Sequence, residues 1–289
     1  MELIAHLRDI LNSERLVFDI IKTELLEIKE KYGDERLTKI VAAEGEFNEE
    51  DLIKEEQMVV ALTHFGYIKR MPIDTYKSQR RGGKGITGIS TREEDFVKQI
   101  FTTSTHDTVL FFSNKGKLYR LRGYEIPEAG RTAKGTAIVN LLSLDAGEKI
   151  SAIIPISNFE EGKYLLMATR NGLIKKTALQ EYNSSRKTGL LAINLKDDDE
   201  LIDVRLTDGE DNVVLVTSKG MCITFDEKDV RPVGRSAQGV LGIRLDEDDF
   251  VIGMESILAN NKKATLLAIT ENGFGRKHRR RRNRGRKKA

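Results

Sequence analysis

Residues 213–220 have the sequence Val-Val-Leu-Val-Thr-Ser-Lys-Gly, an apolar run that ends in a glycine turn. Four other segments repeat this pattern, and successive terminal glycines are 50, 56, 48 and 53 residues apart. A second strand-like run follows each glycine, as in Tyr67-Ile-Lys-Arg70. Because glycine tolerates the positive φ of a tight hairpin turn, each segment predicts a β-hairpin. The terminal glycines are Gly66, Gly116, Gly172, Gly220 and Gly273.

A second set of glycines lies 17 or 19 residues after the first four hairpin glycines, and each precedes another apolar run. A further run, such as residues 150–156, closes each unit. About four strands in each ~50-residue unit predict a mainly β fold, a propeller-like β-pinwheel of about four to five blades. A β-solenoid is the alternative, although its repeats are usually shorter. The second set is Gly85, Gly135, Gly189 and Gly239.

The two ends of the chain differ from the repeats. Residues 1–57 place apolar side chains three and four residues apart, which predicts short amphipathic helices followed by an acidic linker. Such helices cannot bury their apolar faces alone, so we expect them to contact a second copy or upstream sequence. Residues 58–274 hold four predicted blades and part of a fifth. Residues 275–289 form a predicted basic, disordered tail.

Composition predicts a globular protein without a membrane span, because no run approaches the roughly 18 apolar residues that one needs. A single cysteine, Cys222, excludes a disulfide framework and fits a reducing cytoplasm; its strand-like context predicts a buried thiol. The net charge is +3, but residues 276–288 contain ten Lys and Arg and no acid. The remainder is therefore net acidic, and only local patches can support nucleic-acid binding.

The most basic local patch lies in the first unit. Its loop, residues 79–85, combines three cations with three glycines, so that its charge can approach a surface closely. Lys69 and Arg70 add to it. This pattern indicates contact with a phosphate backbone, and a solvated flexible loop is the alternative. The loop residues are Gln79, Arg80, Arg81, Gly82, Gly83, Lys84 and Gly85.

Later units carry cations at the same place, before the second glycine. Their recurrence predicts a charged track around the rim of the array, along which DNA would lie. The alternative is that these residues form salt bridges that cap the blade edges. They are Arg131, Lys134, Arg186, Lys187 and Arg235.

No arrangement of residues predicts catalysis or a metal centre. Residues 82–87 lack the full phosphate-binding loop pattern of nucleotide hydrolases. The four histidines are scattered without metal-ligand spacing. We therefore expect a binding function, with a protein-interaction propeller as the alternative to DNA binding.

Residues 79–85 resemble the "GyrA box" of the A subunits of bacterial DNA gyrase, a family of type IIA topoisomerase subunits. Residues 59–70, residues 24–36 and the repeated hairpins are similar to the same family. The resemblance implies that residues 1–57 are the last helices of a breakage-reunion domain plus a linker. It also implies that residues 58–274 are a pinwheel that wraps DNA, with residues 80, 81 and 84 on phosphates. Because phosphate contacts carry no sequence information, wrapping should be largely independent of sequence.

The same resemblance implies partners and limits. The expected partners are double-stranded DNA, a dimer of gyrase A subunits and the gyrase B protein, in the bacterial cytoplasm close to the nucleoid. We expect no cofactor in this chain, since ATP and Mg²⁺ belong elsewhere in such a holoenzyme. The family's catalytic tyrosine lies in an upstream domain, so no DNA cleavage is expected from this chain alone. A pinwheel like that of topoisomerase IV, which binds DNA with little wrapping, is an alternative that the box disfavours.

The family normally has six blades, whereas the similarity stops in the fifth unit of this sequence. A disrupted reading frame and a genuine nucleic-acid-binding tail both remain open as interpretations.

Overall fold

The computed structural model describes residues 2–34, 38, 49–75, 89, 91, 94–184, 189–259, 261, 264–270 and 272–279. The chain divides into two compact units at residues 48 and 49. The predicted GyrA box, Arg186 and Lys187 lie outside the described residues, so their assignment stays a prediction.

The first unit contains two helices, α1 over Glu2–Asn12 and α2 over Glu14–Tyr32. Neither buries a residue, and large apolar side chains such as Leu11 and Phe18 are exposed. Among the described residues, no helix is long and apolar enough to cross a lipid bilayer.

The second unit is built from short strands. They are β1 Gln57–Thr63, β2 Tyr67–Pro72, β3 Val97–Ser104, β4 Thr108–Ser113, β5 Lys117–Arg122, β6 Thr136–Ala137, β7 Ile150–Ile156, β8 Tyr164–Thr169, β9 Leu173–Ala178, β10 Leu190–Leu191, β11 Leu201–Thr207, β12 Asn212–Thr217, β13 Cys222–Asp226, β14 Val240–Leu241, β15 Val251–Ile257, β16 Thr265–Ile269 and β17 Gly275–Arg279.

These strands form four sheets and a separate hairpin, all paired antiparallel. The strand orders are β3-β1-β2-β6 in sheet 1, β7-β4-β5-β10 in sheet 2, β11-β8-β9-β14 in sheet 3 and β15-β12-β13 in sheet 4, with β16-β17 as the fifth hairpin. The prediction of a mainly β, propeller-like array with four units and the opening hairpin of a fifth is confirmed.

The sequence did not show that the outermost strand of each four-stranded sheet comes from the following unit. Strand β6 follows the second hairpin but pairs with β2 of the first, and β10 and β14 repeat this exchange. The backbone after each outer strand also docks on the preceding hairpin turn. In sheet 3, the Gly242 and Ile243 N–H groups donate to the Gly172 carbonyl at 2.9 and 3.2 Å. Each unit therefore completes its predecessor.

Apolar cores lie between successive sheets, because the first strand of each hairpin in sheets 1 to 4 buries most of both its faces. In β4, Phe111 packs towards sheet 1 and Phe112 towards sheet 3. In β8, Met167 packs towards sheet 2 and Leu166 towards sheet 4. Burial of a side chain of this size contributes about 2 kcal/mol. This two-sided burial explains why the first strands of the hairpins are nearly continuous apolar runs rather than alternating ones.

Two boundaries differ from the sequence predictions. Residues 49–56 belong to the second unit: Glu50 forms an ion pair with Arg122 at 3.1 Å, and the Thr105 hydroxyl donates to the Lys54 carbonyl at 3.0 Å. At the other end, the predicted tail begins too early, since residues 275–279 form β17. Backbone pairing across the Asn272-Gly273 turn sets this strand and needs no apolar alternation in β17.

Candidate nucleic-acid interface

The loops that carry Arg131, Lys134 and Arg235 lie at the periphery of the second unit. We call the first strand in each of the strand orders above, β3, β7, β11 and β15, the inner strand of its sheet. Inner strands of neighbouring sheets contact each other: the Lys98 ammonium of β3 donates to the Ile150 carbonyl of β7 at 2.8 Å. Arg205 of β11 likewise reaches the Met254 carbonyl of β15. The outer strands β6, β10 and β14 lie at the opposite edge of their sheets. The described loops that precede β6 and β14 therefore form the outer rim.

Two of these loops have nearly the same sequence. Residues 130–135 are Gly-Arg-Thr-Ala-Lys-Gly and residues 234–239 are Gly-Arg-Ser-Ala-Gln-Gly. We call them the Gly-Arg loops of sheets 1 and 3. Each makes the same internal bond, from the N–H of its alanine to the carbonyl of its first glycine, at 3.2 Å in both loops. The two rim positions thus share a conformation as well as a sequence.

A buried lysine lies beneath each Gly-Arg loop. In sheet 1, the Lys69 ammonium donates to the Gly130, Arg131 and Ala133 carbonyls at 3.2, 2.9 and 2.6 Å. The Lys69 side chain is 3% exposed, and burial lowers the pKa of its ammonium. In this structure Lys69 supports the rim instead of presenting its charge to solvent. Its predicted direct contact with DNA is revised accordingly, because carbonyl oxygens surround the ammonium.

Sheet 3 repeats this arrangement with Lys175, which is fully buried. Its ammonium donates to the Arg235 carbonyl at 2.5 Å and to the Ala192 carbonyl at 2.8 Å. Burial lowers the pKa of Lys175 to about 8; the nearby Arg235 charge adds to this shift and Glu181 opposes it. Lys175 was not predicted as a site residue, although it occupies the same place after its hairpin glycine as Lys69 does.

The remaining predicted cations divide into two kinds. Arg70 is ion-paired: its guanidinium lies 3.1 Å from the Glu128 carboxylate, and its Nε donates to the Ile126 carbonyl at 2.7 Å. The Arg70 charge is therefore compensated within the second unit, and its contact with DNA stays a prediction. Arg131 and Arg235 are half-buried and Lys134 is exposed. Within the described ranges, these three have no acidic partner within 4.0 Å.

Sheet 2 differs from its neighbours at the equivalent position. Tyr119 replaces the lysine, and its hydroxyl donates to Glu148 at 2.9 Å. Burial and Glu148 together raise the pKa of this hydroxyl. Nearby, Arg120 lines a recess of about 490 Å³ with Arg122 and Asn183. Arg120 lies in the middle of β5 and was not among the predicted site residues.

A cluster of acids lies where sheets 3 and 4 meet. Asp208, Asp211 and Glu227 bring carboxylate oxygens within 4.8 Å of one another. The enclosed Glu227 accepts from the Thr207 hydroxyl at 2.7 Å and pairs with the Lys176 ammonium at 3.0 Å. Because Lys176 already compensates Glu227, we assign no metal ion to this cluster.

The repeated architecture matches a known domain. A family model for the DNA gyrase C-terminal domain, a β-propeller, covers residues 57–104, 107–157, 163–208 and 211–257. Each matched segment holds one hairpin and the inner strand of the same sheet. The chain belongs to the DNA gyrase C-terminal domain family. This match confirms the resemblance to DNA gyrase A subunits that the sequence indicated.

Relatives and solved structures agree with this assignment. The chain is 57% identical over 242 residues to the DNA gyrase A protein of Clostridium acetobutylicum, a match that covers 84% of the chain and 29% of that relative. It resembles the C-terminal domain of DNA topoisomerase IV with a TM-score of 0.65 at 34% identity, covering 78% of the chain and 68% of that structure. For the DNA gyrase A C-terminal domain the TM-score is 0.60 at 31% identity, covering 77% and 71%. The chain therefore spans less than a third of the full length of the Clostridium relative.

Proposed function

We propose that this gyrase C-terminal domain binds duplex DNA along its rim and bends the DNA around the sheets. One observation carries the proposal: the same Gly-Arg loop recurs at the periphery of sheets 1 and 3, with cations that face no acid among the described residues. Cations spaced along a curved rim attract phosphates through counterion release, and backbone contacts need no particular sequence.

The cellular role that follows is DNA wrapping within a gyrase holoenzyme in the bacterial cytoplasm. The domain would bind a DNA segment beside a dimer of gyrase A subunits, together with the gyrase B protein, and so support ATP-dependent negative supercoiling. Strand cleavage and the ATP and Mg²⁺ chemistry are assigned to other parts of that holoenzyme. The predicted box residues, Arg80, Arg81 and Lys84, would begin the DNA path, and the Gly-Arg loops would extend it.

The test measures wrapping as the topoisomer shift that the full chain produces when nicked circles are ligated. The rim variant is Arg131→Ala, Lys134→Ala and Arg235→Ala, and the box variant is Arg80→Ala, Arg81→Ala and Lys84→Ala. We expect the box variant to lose the shift and the rim variant to reduce it. The control Lys54→Ala, Lys219→Ala and Lys228→Ala removes the same charge from lysines that already contact Glu56, the Glu247 carbonyl and Glu210, and should retain it.

Three other results would change the assignment. Retention of the shift by both variants would refute rim wrapping. Binding that disappears when the chain ends at Arg279 would place DNA affinity in the basic tail. Tight, salt-dependent binding without any shift would favour the topoisomerase IV-like function, for which the structural likeness to that enzyme's domain is the supporting observation.

A further inference from the structure

We propose that Lys69 and Lys175 are positioning residues for the rim: each holds the backbone of a Gly-Arg loop, so that DNA affinity depends on lysines that do not touch DNA. The inference rests on the proposed DNA-binding function and adds to it the residues that fix the rim cations in place.

The first argument is that lysine and loop occur together. The third residue after the hairpin glycine is Lys69 in sheet 1, Tyr119 in sheet 2, Lys175 in sheet 3 and Ile223 in sheet 4. Sheet folding therefore accepts an aromatic or aliphatic side chain at this place. Lysine stands in the two sheets whose docked loop has the Gly-Arg sequence, and the ammonium contacts that loop in both.

The second argument is energetic. Burial of an ammonium is unfavourable unless hydrogen bonds compensate for lost water, and an apolar residue of similar size is often as stable or more so. Both lysines find their compensation in loop carbonyls, including those of Arg131 and Arg235 themselves. Their bonds thus restrain the backbone from which a rim guanidinium projects. Lys175 additionally bonds the Ala192 carbonyl, which follows the outer strand of sheet 2, and so ties two neighbouring rim segments together.

The main test is a double-mutant cycle on the full chain with a mixed-sequence duplex as the probe. Arg235→Ala should weaken binding about fivefold to tenfold near 0.1 M salt, the effect of one lost phosphate contact. Lys175→Met keeps a side chain as long as the aliphatic part of lysine and removes the ammonium donors; it should weaken binding by a similar factor. If Lys175 acts through the Arg235 loop, the double variant should bind no more weakly than Arg235→Ala does.

The matched control removes the adjacent buried lysine with its partner, as Lys176→Met together with Glu227→Gln, and should change affinity less than twofold. Melting temperatures show whether each variant is folded. A folded Lys175→Met chain with wild-type affinity, or strictly additive losses in the cycle, would overturn the inference and leave the proposed function intact. Absence of DNA binding by the wild type would overturn the proposed function instead.

A second measurement does not require the lysine variant to fold. The ratio of wild-type to Arg235→Ala affinity should fall between about pH 7 and about pH 9, as the Lys175 ammonium loses its proton. The charged and titratable groups around this ammonium are Arg235 and Glu181, with the Tyr182 hydroxyl donating to the same Ala192 carbonyl at 3.0 Å. The ratio isolates the loop, because other pH effects are common to both proteins. The neutral amine keeps two N–H groups for the Arg235 and Ala192 carbonyls, but these bonds lose the assistance of the positive charge. A ratio that rises over this range would contradict positioning by Lys175.

Discussion

Sheets 3 and 4 begin from almost the same hairpin, yet only sheet 3 has an outer strand among the described residues. In sheet 3, Ile174 on β9 pairs with Val240 of β14 and is 1% exposed. The equivalent residue on β13 of sheet 4 is Cys222, which is exposed. A hairpin and its inner strand therefore form without an outer strand from the next unit, whereas burial of the second strand of the hairpin depends on that outer strand.

The largest expected effect concerns the hairpin glycines of these two sheets. A Cβ on Gly172 would lie 2.7 Å from the Ile243 carbonyl oxygen, whereas nothing lies within 4 Å of a Cβ on Gly220. Both glycines have φ above +80°. Gly220→Ala should therefore cost only backbone strain, about 1–2 kcal/mol, and Gly172→Ala about 3 kcal/mol or more, because the docked strand must also move. Urea unfolding of the two variants measures the difference, and equal losses would show that docking contributes nothing.

A smaller effect, on the pH dependence of the free energy of unfolding, should distinguish sheet 3 from sheet 4. The pKa of Lys175 is about 8 in the folded chain, below the ordinary value of 10.5, so the unfolded chain binds more protons between these pH values. The free energy of unfolding should therefore rise with pH in that window, by on the order of 2 kcal/mol. Below pH 8 both states are protonated, and this contribution no longer changes.

Unfolding at a series of pH values tests this difference between sheets. Lys175→Met should reduce the rise, and the part contributed by buried Lys69 should remain. Lys228→Met, which removes an exposed lysine just after β13, should retain the full rise. Sheet 4 has Ile223 at the place of Lys175 and should contribute no equivalent rise. A rise of undiminished size in Lys175→Met would assign it to another group.

The smallest effect on stability is expected at Cys222. Cys222→Ser should change the free energy of unfolding by less than about 0.5 kcal/mol, as at other exposed positions. In the native chain, the Cys222 thiol should react with a maleimide a few-fold more slowly than in urea, because partial burial raises its pKa. The matched variant, Ile174→Cys in the Cys222→Ser background, should be protected at least about 100-fold, since its thiol becomes accessible only when the sheet opens. Similar labelling rates at the two positions would contradict the assigned role of the outer strand.

Much of the fold follows from local sequence, and the rest depends on long-range pairing. The hairpins were predictable because each apolar run ends at a glycine with positive φ, as at Gly116 and Gly172. Assignment of β6 to sheet 1 was not predictable, because two residues carry too little pattern to identify a partner about 70 positions earlier. Cys222 was predicted to be buried because its strand pattern is that of Ile174; it is exposed because no strand among the described residues pairs with the outer edge of β13.

The candidate site was likewise predictable only in part. The sequence located the rim cations Arg131, Lys134 and Arg235 by their recurrence before a glycine. It could not separate charge that faces solvent from charge that faces the backbone. Lys69 and Arg70 are adjacent in a strand, yet one is enclosed by carbonyl oxygens and the other is paired with Glu128. The recurrence of lysine three residues after a hairpin glycine was present in the sequence and would have indicated the buried supports.

The exchange of outer strands also sets an order on folding during synthesis. A ribosome makes the chain from its amino terminus, so the first hairpin emerges well before Thr136 and Ala137, which complete its sheet. In the same way, sheets 2 and 3 are completed only when residues 190–191 and 240–241 have been made. Each newly made blade thus remains unfinished until the next has been translated, and folding follows translation with a delay of one repeat.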